Sequence, residues 1–451
     1  MTNLWNVGFF LLFVFSTTNL CFCCFHHERQ ALLRFKRSLI SDPSNRLSSW
    51  NGNNCCQWQG VGCNNATLRV IRLDIPGDSL WPKNRLEGNE LNSSLSELTH
   101  LSYLDLSRNN FRSSPIPKFI GSMTRLRYLN LSYASFSGAV PHHIGNLSNL
   151  HVLGLGNTEE LIVDDFTWVA RLMSLEILDL SGVNITRARD FDKVLFHMLP
   201  SLRELRLGNC SLSISHFDQT HLHTNITYST IQTLDLRRNL FEGHIPFFLQ
   251  NMTSLRVLDL SWNQLNSSIP VMNNLVELKL AGNAFSSFQD TGVWRFCEIK
   301  RLDISFSKMP GGLTGPLECS QYNLETLYLK ESGLKGEIPI SLDRLTSLKE
   351  LRRIPTGTQL HSFNPSTYAG NNKLCGSPLP TRCSGDERIV TDGAEKQEEE
   401  EDDNKWIWIY STTSGFTTGL LVILGILALS RKLRLSIYNF VEFCTGIKME
   451  T

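Results

Sequence analysis

The segment Leu255–Pro270, LRVLDLSWNQLNSSIP, constrains this chain more than any other. Leu255, Leu258 and Leu260 occupy an L-x-x-L-x-L frame, followed by Asn263, Leu265 and an Ile269-Pro270 close. Leucines alternating at the end of that frame suit a short strand with one apolar face, and an asparagine just after it can turn the chain by bonding nearby backbone groups. One such unit cannot bury its own apolar face and becomes stable only when stacked on copies of itself. The copies are present. The first apolar residue of the frame recurs at Val70, Leu101, Leu126, Leu150, Leu175, Leu202, Ile231, Leu255, Leu275, Ile299, Leu324 and Leu348.

A spacing near 24 residues is that of leucine-rich repeats, in which each unit adds one strand to a parallel sheet on the concave side of a curved solenoid. The expected fold is therefore an α/β solenoid, a leucine-rich-repeat horseshoe over residues 70–351. The turn position holds Asn109, Asn239, Asn263, Asn283 and Cys210, and departs to Ala134, Thr158, Val183, Ser307 and Ser332. Several units close on Gly-x-Val/Ile-Pro, as at Gly138–Pro141, Gly243–Pro246 and Gly336–Pro339. Glycine permits the bend there, and proline fixes φ without needing a donor.

The open end of a solenoid needs a cover, and residues 25–69 supply the material. Ala31, Leu32, Leu33, Phe35 and Leu39 fall at helical spacing, with Asp42-Pro43 as the expected stop. Four cysteines, Cys24, Cys55, Cys56 and Cys63, can staple this cap as Cys24–Cys55 and Cys56–Cys63; a zinc knuckle is the alternative. Residues 1–24 contain an apolar run, Val7–Phe15, too short to span a bilayer, and read as a signal peptide. Nine N-x-S/T sequons agree with a secreted ectodomain: Asn65, Asn92, Asn130, Asn146, Asn184, Asn209, Asn225, Asn251 and Asn266. A disulfide framework belongs to the same oxidising pathway.

Beyond a final partial repeat and cap at 352–383, residues 384–405 form an acidic stalk ending in Glu398–Asp403. Residues 406–429 are uncharged and long enough for one transmembrane helix. Trp406, Trp408 and Tyr410 on one side, with Arg431, Lys432 and Arg434 on the other, orient it as a single-pass type I plasma-membrane protein with an extracellular N-terminus. Within the span, Gly415 and Gly419 make a G-x-x-x-G at which a second helix can approach closely. The tail, 430–451, has no room for a kinase, and the chain carries no β3 lysine, H-R-D or D-F-G signature.

The cap CCQWQGVGC, the repeats LDLSRNNF and LRYLNLSYASFSGAVPHHIGNLSNL, and the C-terminal NNKLCGSPLPTRC resemble plant leucine-rich-repeat receptor-like proteins. The subgroup they are most similar to is the one containing receptors for a fungal ethylene-inducing xylanase. The resemblance implies a glycosylated ectodomain, one membrane span, no kinase, and an immune or, in a minority, developmental role. It implies that Cys375 and Cys383 close the C-terminal cap, and that the span pairs with adaptor and co-receptor leucine-rich-repeat receptor-like kinases. One departure stands out at Leu348-Lys-Glu-Leu351-Arg352-Arg353, where Arg353 replaces the third apolar strand residue and the text runs directly into IPTGTQLHSF. The chain reads as internally shortened near residue 351. A truncated form that titrates adaptor kinase without recognising anything is therefore an alternative to a receptor for a microbial elicitor.

No enzymatic motif is present: there is no H-E-x-x-H, no G-x-S-x-G and no phosphate-binding glycine loop. No cofactor is expected. Lysine plus arginine equals aspartate plus glutamate, so global charge argues neither for nor against a nucleic-acid partner, and none is expected of a cell-surface ectodomain. His216, His221 and His223 read as a solvated loop, Cys210 as a small buried hydrophobe, and Cys297 and Cys319 as a pair that could form a disulfide or stay apart. An extracellular protein or peptide ligand should meet the concave sheet, where the variable strand positions stack. The candidate contacts are Tyr103, Tyr128, Tyr133, Arg237, Arg238, Trp262, Arg301, Phe306 and Tyr328, because aromatics and arginine dominate interface hot spots. The row Asp105, Asp179, Asp235, Asp259, Asp303 is expected to bond strand surface rather than ligand.

Overall fold

The computed structural model describes residues 24–78, 82–156, 160–217, 230–245, 249–250, 252–309 and 318–333. Among them, eleven parallel strands form one sheet, one strand per repeat from Val70–Asp74 to Thr326–Tyr328, in chain order. A twelfth, Val61–Cys63, pairs antiparallel with the first and finishes the N-terminal edge. Each repeat strand after the first is three residues long and starts two residues after the anchor apolar residue. Register follows the leucines: Leu104, Leu129, Leu153 and Leu178 lie side by side, as do Leu205, Leu234, Leu258, Leu278, Leu302 and Leu327. All are buried. Burying each such side chain contributes about 1.5–3 kcal/mol, so the column forms the spine of the core.

The opposite flank is built from short 3₁₀ turns such as Lys118–Ser122 and His142–Asn146, entered through Pro117 and Pro141. Adjacent turns pack backbone on backbone: a Cβ added at Gly121 would sit 2.2 Å from the carbonyl oxygen of His143. Between the two flanks runs a ladder of buried asparagines. Asn263 donates from Nδ2 to the carbonyls of Leu236 (3.1 Å) and Leu260 (3.0 Å), while its Oδ1 accepts the N–H groups of Asn239 and Phe241 (both 3.2 Å). Asn109, Asn239 and Asn283 repeat the pattern. Where asparagine is missing, Cys210 Sγ reaches Leu180 O at 3.2 Å and Ser307 Oγ reaches Leu280 O at 3.4 Å. Burial pushes the Cys210 thiol up to about 12, which suits an inert core residue.

The cap helix spans His26–Ser38 and buries Glu28, Ala31, Leu32 and Phe35. It stops earlier than the expected Asp42-Pro43. Leu39–Ser41 leaves the helix and pairs antiparallel with Glu87–Gly88, so Leu39 belongs to a strand. Asp42 instead organises the following turn, accepting the N–H groups of Arg46 and Leu47 at 2.9 Å. Glu28 Oε2 accepts the N–H of Val70 at 3.1 Å, tying the cap to the first repeat strand. The cap cysteines pair as Cys24–Cys55 and Cys56–Cys63, consuming the sulfurs a zinc knuckle would need. A third disulfide, Cys297–Cys319, joins two neighbouring repeats.

Residues 1–23, Thr158, His221, His223, Asn225, Asn251, the break at 351, Cys375, Cys383, the stalk, and the 406–429 span with Gly415 and Gly419 lie outside the described residues. Among the described residues, no helix is long and apolar enough to cross a membrane.

Candidate functional site: a groove on the concave sheet

The concave surface is set by one backbone feature. The residue just before the turn position is left-handed in repeat after repeat: Arg108 (φ 58), Tyr133 (56), Asn209 (57), Arg238 (54), Trp262 (58), Phe306 (58) and Glu331 (52), with Gly182 (75) and Gly282 (68) between them. For a side-chain-bearing residue this conformation costs about 1–2 kcal/mol. From Arg108 to Phe306 it is held because the N–H of each of these residues donates to a carbonyl of the next repeat, as in Tyr133 to Gly156 (2.6 Å), Arg238 to Ser261 (2.8 Å) and Trp262 to Ala281 (2.6 Å). The outcome is a rim of side chains turned outward along one edge of the sheet.

Behind that rim lies a groove of 840 Å³. Tyr133, Arg237, Arg238, Trp262 and Phe306, five of the nine residues expected from the sequence, line it together. Trp262 is 48% exposed and Tyr133 41%. The rings of Trp262 and Phe306 are 5.7 Å apart at 30°, although Gly282 separates them along the rim. The gap at Gly282 lets the indole lie across: a Cβ there would sit 2.8 Å from two indole carbons. Gly282→Leu should therefore displace Trp262, and the left-handed φ adds strain of order 1–3 kcal/mol. A red-shifted Trp262 emission, read against Trp262→Phe, checks this; an unchanged spectrum contradicts it.

The groove also holds charge. Arg237, Arg238 and Lys279 outnumber Asp259 and Asp303 among its lining residues. Arg237 Nε is 3.2 Å from Asp235 Oδ2, and Lys279 Nζ is 3.1 Å from Glu277 Oε1. Among the described residues Arg238 makes no ion pair, and its side chain is exposed. The aspartate row is tied to backbone of its own repeats. In Asp105, Asp179, Asp235, Asp259 and Asp303, Oδ1 accepts the N–H two residues on, at 2.9–3.0 Å. These bonds close the end of each strand.

Burial, with the carboxylates of Asp259 and Asp179 on either side, raises the pKa of Asp235 above the ordinary carboxylate range. The fold thus binds this proton more tightly than the unfolded chain does. The resulting stabilisation is present in acid and is lost as pH rises through the raised value. Asp235→Asn keeps the acceptor for Arg237 N–H and removes the penalty. It should melt at higher temperature than the parent near neutral pH, the difference vanishing in strong acid. A constant difference across pH would contradict this origin.

The remaining candidates lie apart. Tyr103 and Tyr128 stack face to face, 4.1 Å apart, under the Arg72 guanidinium 3.6 Å from the Tyr103 ring. Tyr128 also donates to Asp105 Oδ2 at 3.1 Å. Arg301 is engaged with Glu277, and Tyr328 is exposed on the last described strand. Lys279 also holds a variable strand position and lines the groove, but a lysine there carries no signal that separates it from an ordinary solvated side chain. Gly182 and Gly208, which hollow the centre, carry no side-chain signal at all. His216 does local work, its Nδ1 accepting the Ser213 N–H at 3.0 Å.

Family models for the leucine-rich-repeat N-terminal domain match residues 25–64, and those for the leucine-rich repeat match 100–123, 125–147, 230–252 and 251–269. Receptor-like protein EIX1 of Solanum lycopersicum is 37% identical over 357 residues, covering 73% of this chain and 33% of that relative. Receptor-like protein EIX2 of the same plant is 36% identical over 349 residues, with the same shares. The chain thus spans about a third of the length of these curated relatives. Among solved structures, the PEPR1–AtPEP1 complex superposes with a TM-score of 0.49 at 26% identity, covering 72% of this chain and 44% of that one.

Proposed function

The chain belongs to the plant leucine-rich-repeat receptor-like proteins, and from that premise we propose that it is a kinase-less cell-surface receptor whose concave groove takes an extracellular protein or peptide. The observation that carries this reading is the outward rim of Arg238, Trp262 and Phe306 beside a hollow floor. An apolar side chain of the ligand lies on the Trp262–Phe306 pair, and a neighbouring anionic group meets Arg238. Aromatic and arginine anchors of this kind supply most of the energy in protein interfaces. The ligand is a microbial elicitor. Residues 406–429 anchor the protein in the plasma membrane, and Gly415 and Gly419 face a partner receptor-like kinase, which performs the phosphoryl transfer this chain lacks.

The test uses the full chain in leaf tissue. Co-immunoprecipitation with the adaptor kinase, before and after a fungal culture filtrate is added, should show a defence response that depends on both proteins. Pairing without any response, in tissue where a longer relative responds, would sink the receptor reading. It would favour a second one, in which the chain sequesters adaptor kinase. The interrupted repeat at Leu351–Arg353 is what favours that alternative.

A further inference from the structure

We propose that Asn209 carries an N-linked glycan that stands over the groove and admits extended chain segments while excluding folded protein surfaces. Its consequence for ligands rests on the groove being the binding site; the modification itself does not. Among the described sequons, Asn130 and Asn209 are the two on the concave side, and their settings differ. Asn130 holds a strand position, with Nδ2 donating to Asp105 Oδ2 (3.2 Å) and to the Tyr128 hydroxyl (3.4 Å). Asn209 is exposed, lines the groove, and is one of the left-handed rim residues. Its backbone N–H is held by Arg237 O at 2.8 Å, and Cys210 and Leu212 behind it both donate to Asn239 Oδ1. The backbone that aims the side chain outward is therefore rigid.

The neighbours on the rim make the placement consequential. On one side of Asn209 is Gly182, which has no side chain; on the other are Arg238 and then Trp262. Strand spacing puts Asn209 about 10 Å from Trp262, two repeats on. A branched oligosaccharide is bulkier than any rim side chain, so one rooted here overhangs the cationic and aromatic part of the groove. In the transfer, the anomeric carbon of a lipid-linked oligosaccharide leaves its pyrophosphate oxygen and bonds to Asn209 Nδ2. The nitrogen gives up one proton to a base, and the lipid pyrophosphate departs. Three disulfides among the described residues place the ectodomain in the oxidising pathway where that donor is found.

The experiment uses full chain purified from plant tissue, with no ligand present. Glycopeptide mass spectrometry should find Asn209 occupied. Lys279, on the groove wall, is then acylated with a small succinimidyl ester and with the same ester on a bulky polymer; Lys118, on the 3₁₀ flank, is the control. In Asn209→Asp, which keeps a residue tolerant of left-handed φ, the small ester should react with Lys279 as in the parent, and the polymer ester several-fold faster than in the parent. Lys118 should not respond. Enzymatic release of the glycan from the folded parent gives the same comparison without a substitution. An unmodified Asn209, or polymer acylation of Lys279 indifferent to the glycan, overturns the proposal. Either result leaves ligand binding in the groove to stand or fall on its own measurement.

Discussion

Asn263→Ala should lower the unfolding free energy by about 3–5 kcal/mol, since two buried N–H groups lose their acceptor at about 1–3 kcal/mol each and two carbonyls lose a donor. The groups are identified: the N–H of Asn239 and Phe241, and the carbonyls of Leu236 and Leu260. Apolar replacement cannot repair the loss, because the partners are backbone and stay behind. Cys210→Ala is the contrast. The thiol makes only weak bonds, to Leu180 O and Gly208 O, so removing it should cost little beyond its packing. Urea unfolding of the two variants separates them. Equal losses would mean that the asparagine ladder contributes no more than volume.

Replacing both Cys297 and Cys319 by serine should cost about 2–4 kcal/mol, the usual effect of closing a loop of this size. The bond links residues 22 apart, across neighbouring repeats. Around it, Tyr322 donates to Trp294 O at 2.8 Å and packs edge-on against that indole. In a solenoid each repeat contacts mainly its neighbours, so the loss should be local. Hydrogen exchange should speed up in Arg301–Asp303 and Thr326–Tyr328 while Tyr103–Asp105 keeps its protection. Uniform acceleration would show that the stack unfolds as one unit.

What could be read from the sequence divides along physical lines. The strand register was legible because L-x-x-L-x-L leaves one way to put Leu258 and Leu278 on the same buried column. Asn109, Asn239, Asn263 and Asn283 were legible as turn residues, and the cap cysteines paired as expected. The helix end was misplaced: Leu39 fits the helical spacing, but its pairing with Gly88 is a long-range contact that outweighs local periodicity. The rim was invisible for a different reason. Tyr133, Arg238, Trp262 and Phe306 are residue types that avoid positive φ, and only the hydrogen bonds to the next repeat hold them there. So the sequence could nominate these side chains together with Tyr103 and Tyr128, yet not tell which belong to one groove. The lie of Trp262 across Gly282 depends on an absent side chain in the next repeat, which a pattern of residue types does not reveal.

The proposed receptor function places an extracellular polypeptide between Arg238 and Phe306. A photo-reactive phenylalanine analogue at Trp262, in the full chain expressed in leaf tissue, tests it most directly; the same analogue at His142, on the opposite flank, is the control. With fungal culture filtrate present, illumination should give a discrete cross-linked polypeptide from position 262 and none from position 142. Adding Arg238→Glu should abolish that product. The same product from position 142, or one indifferent to Arg238→Glu, would contradict the claim.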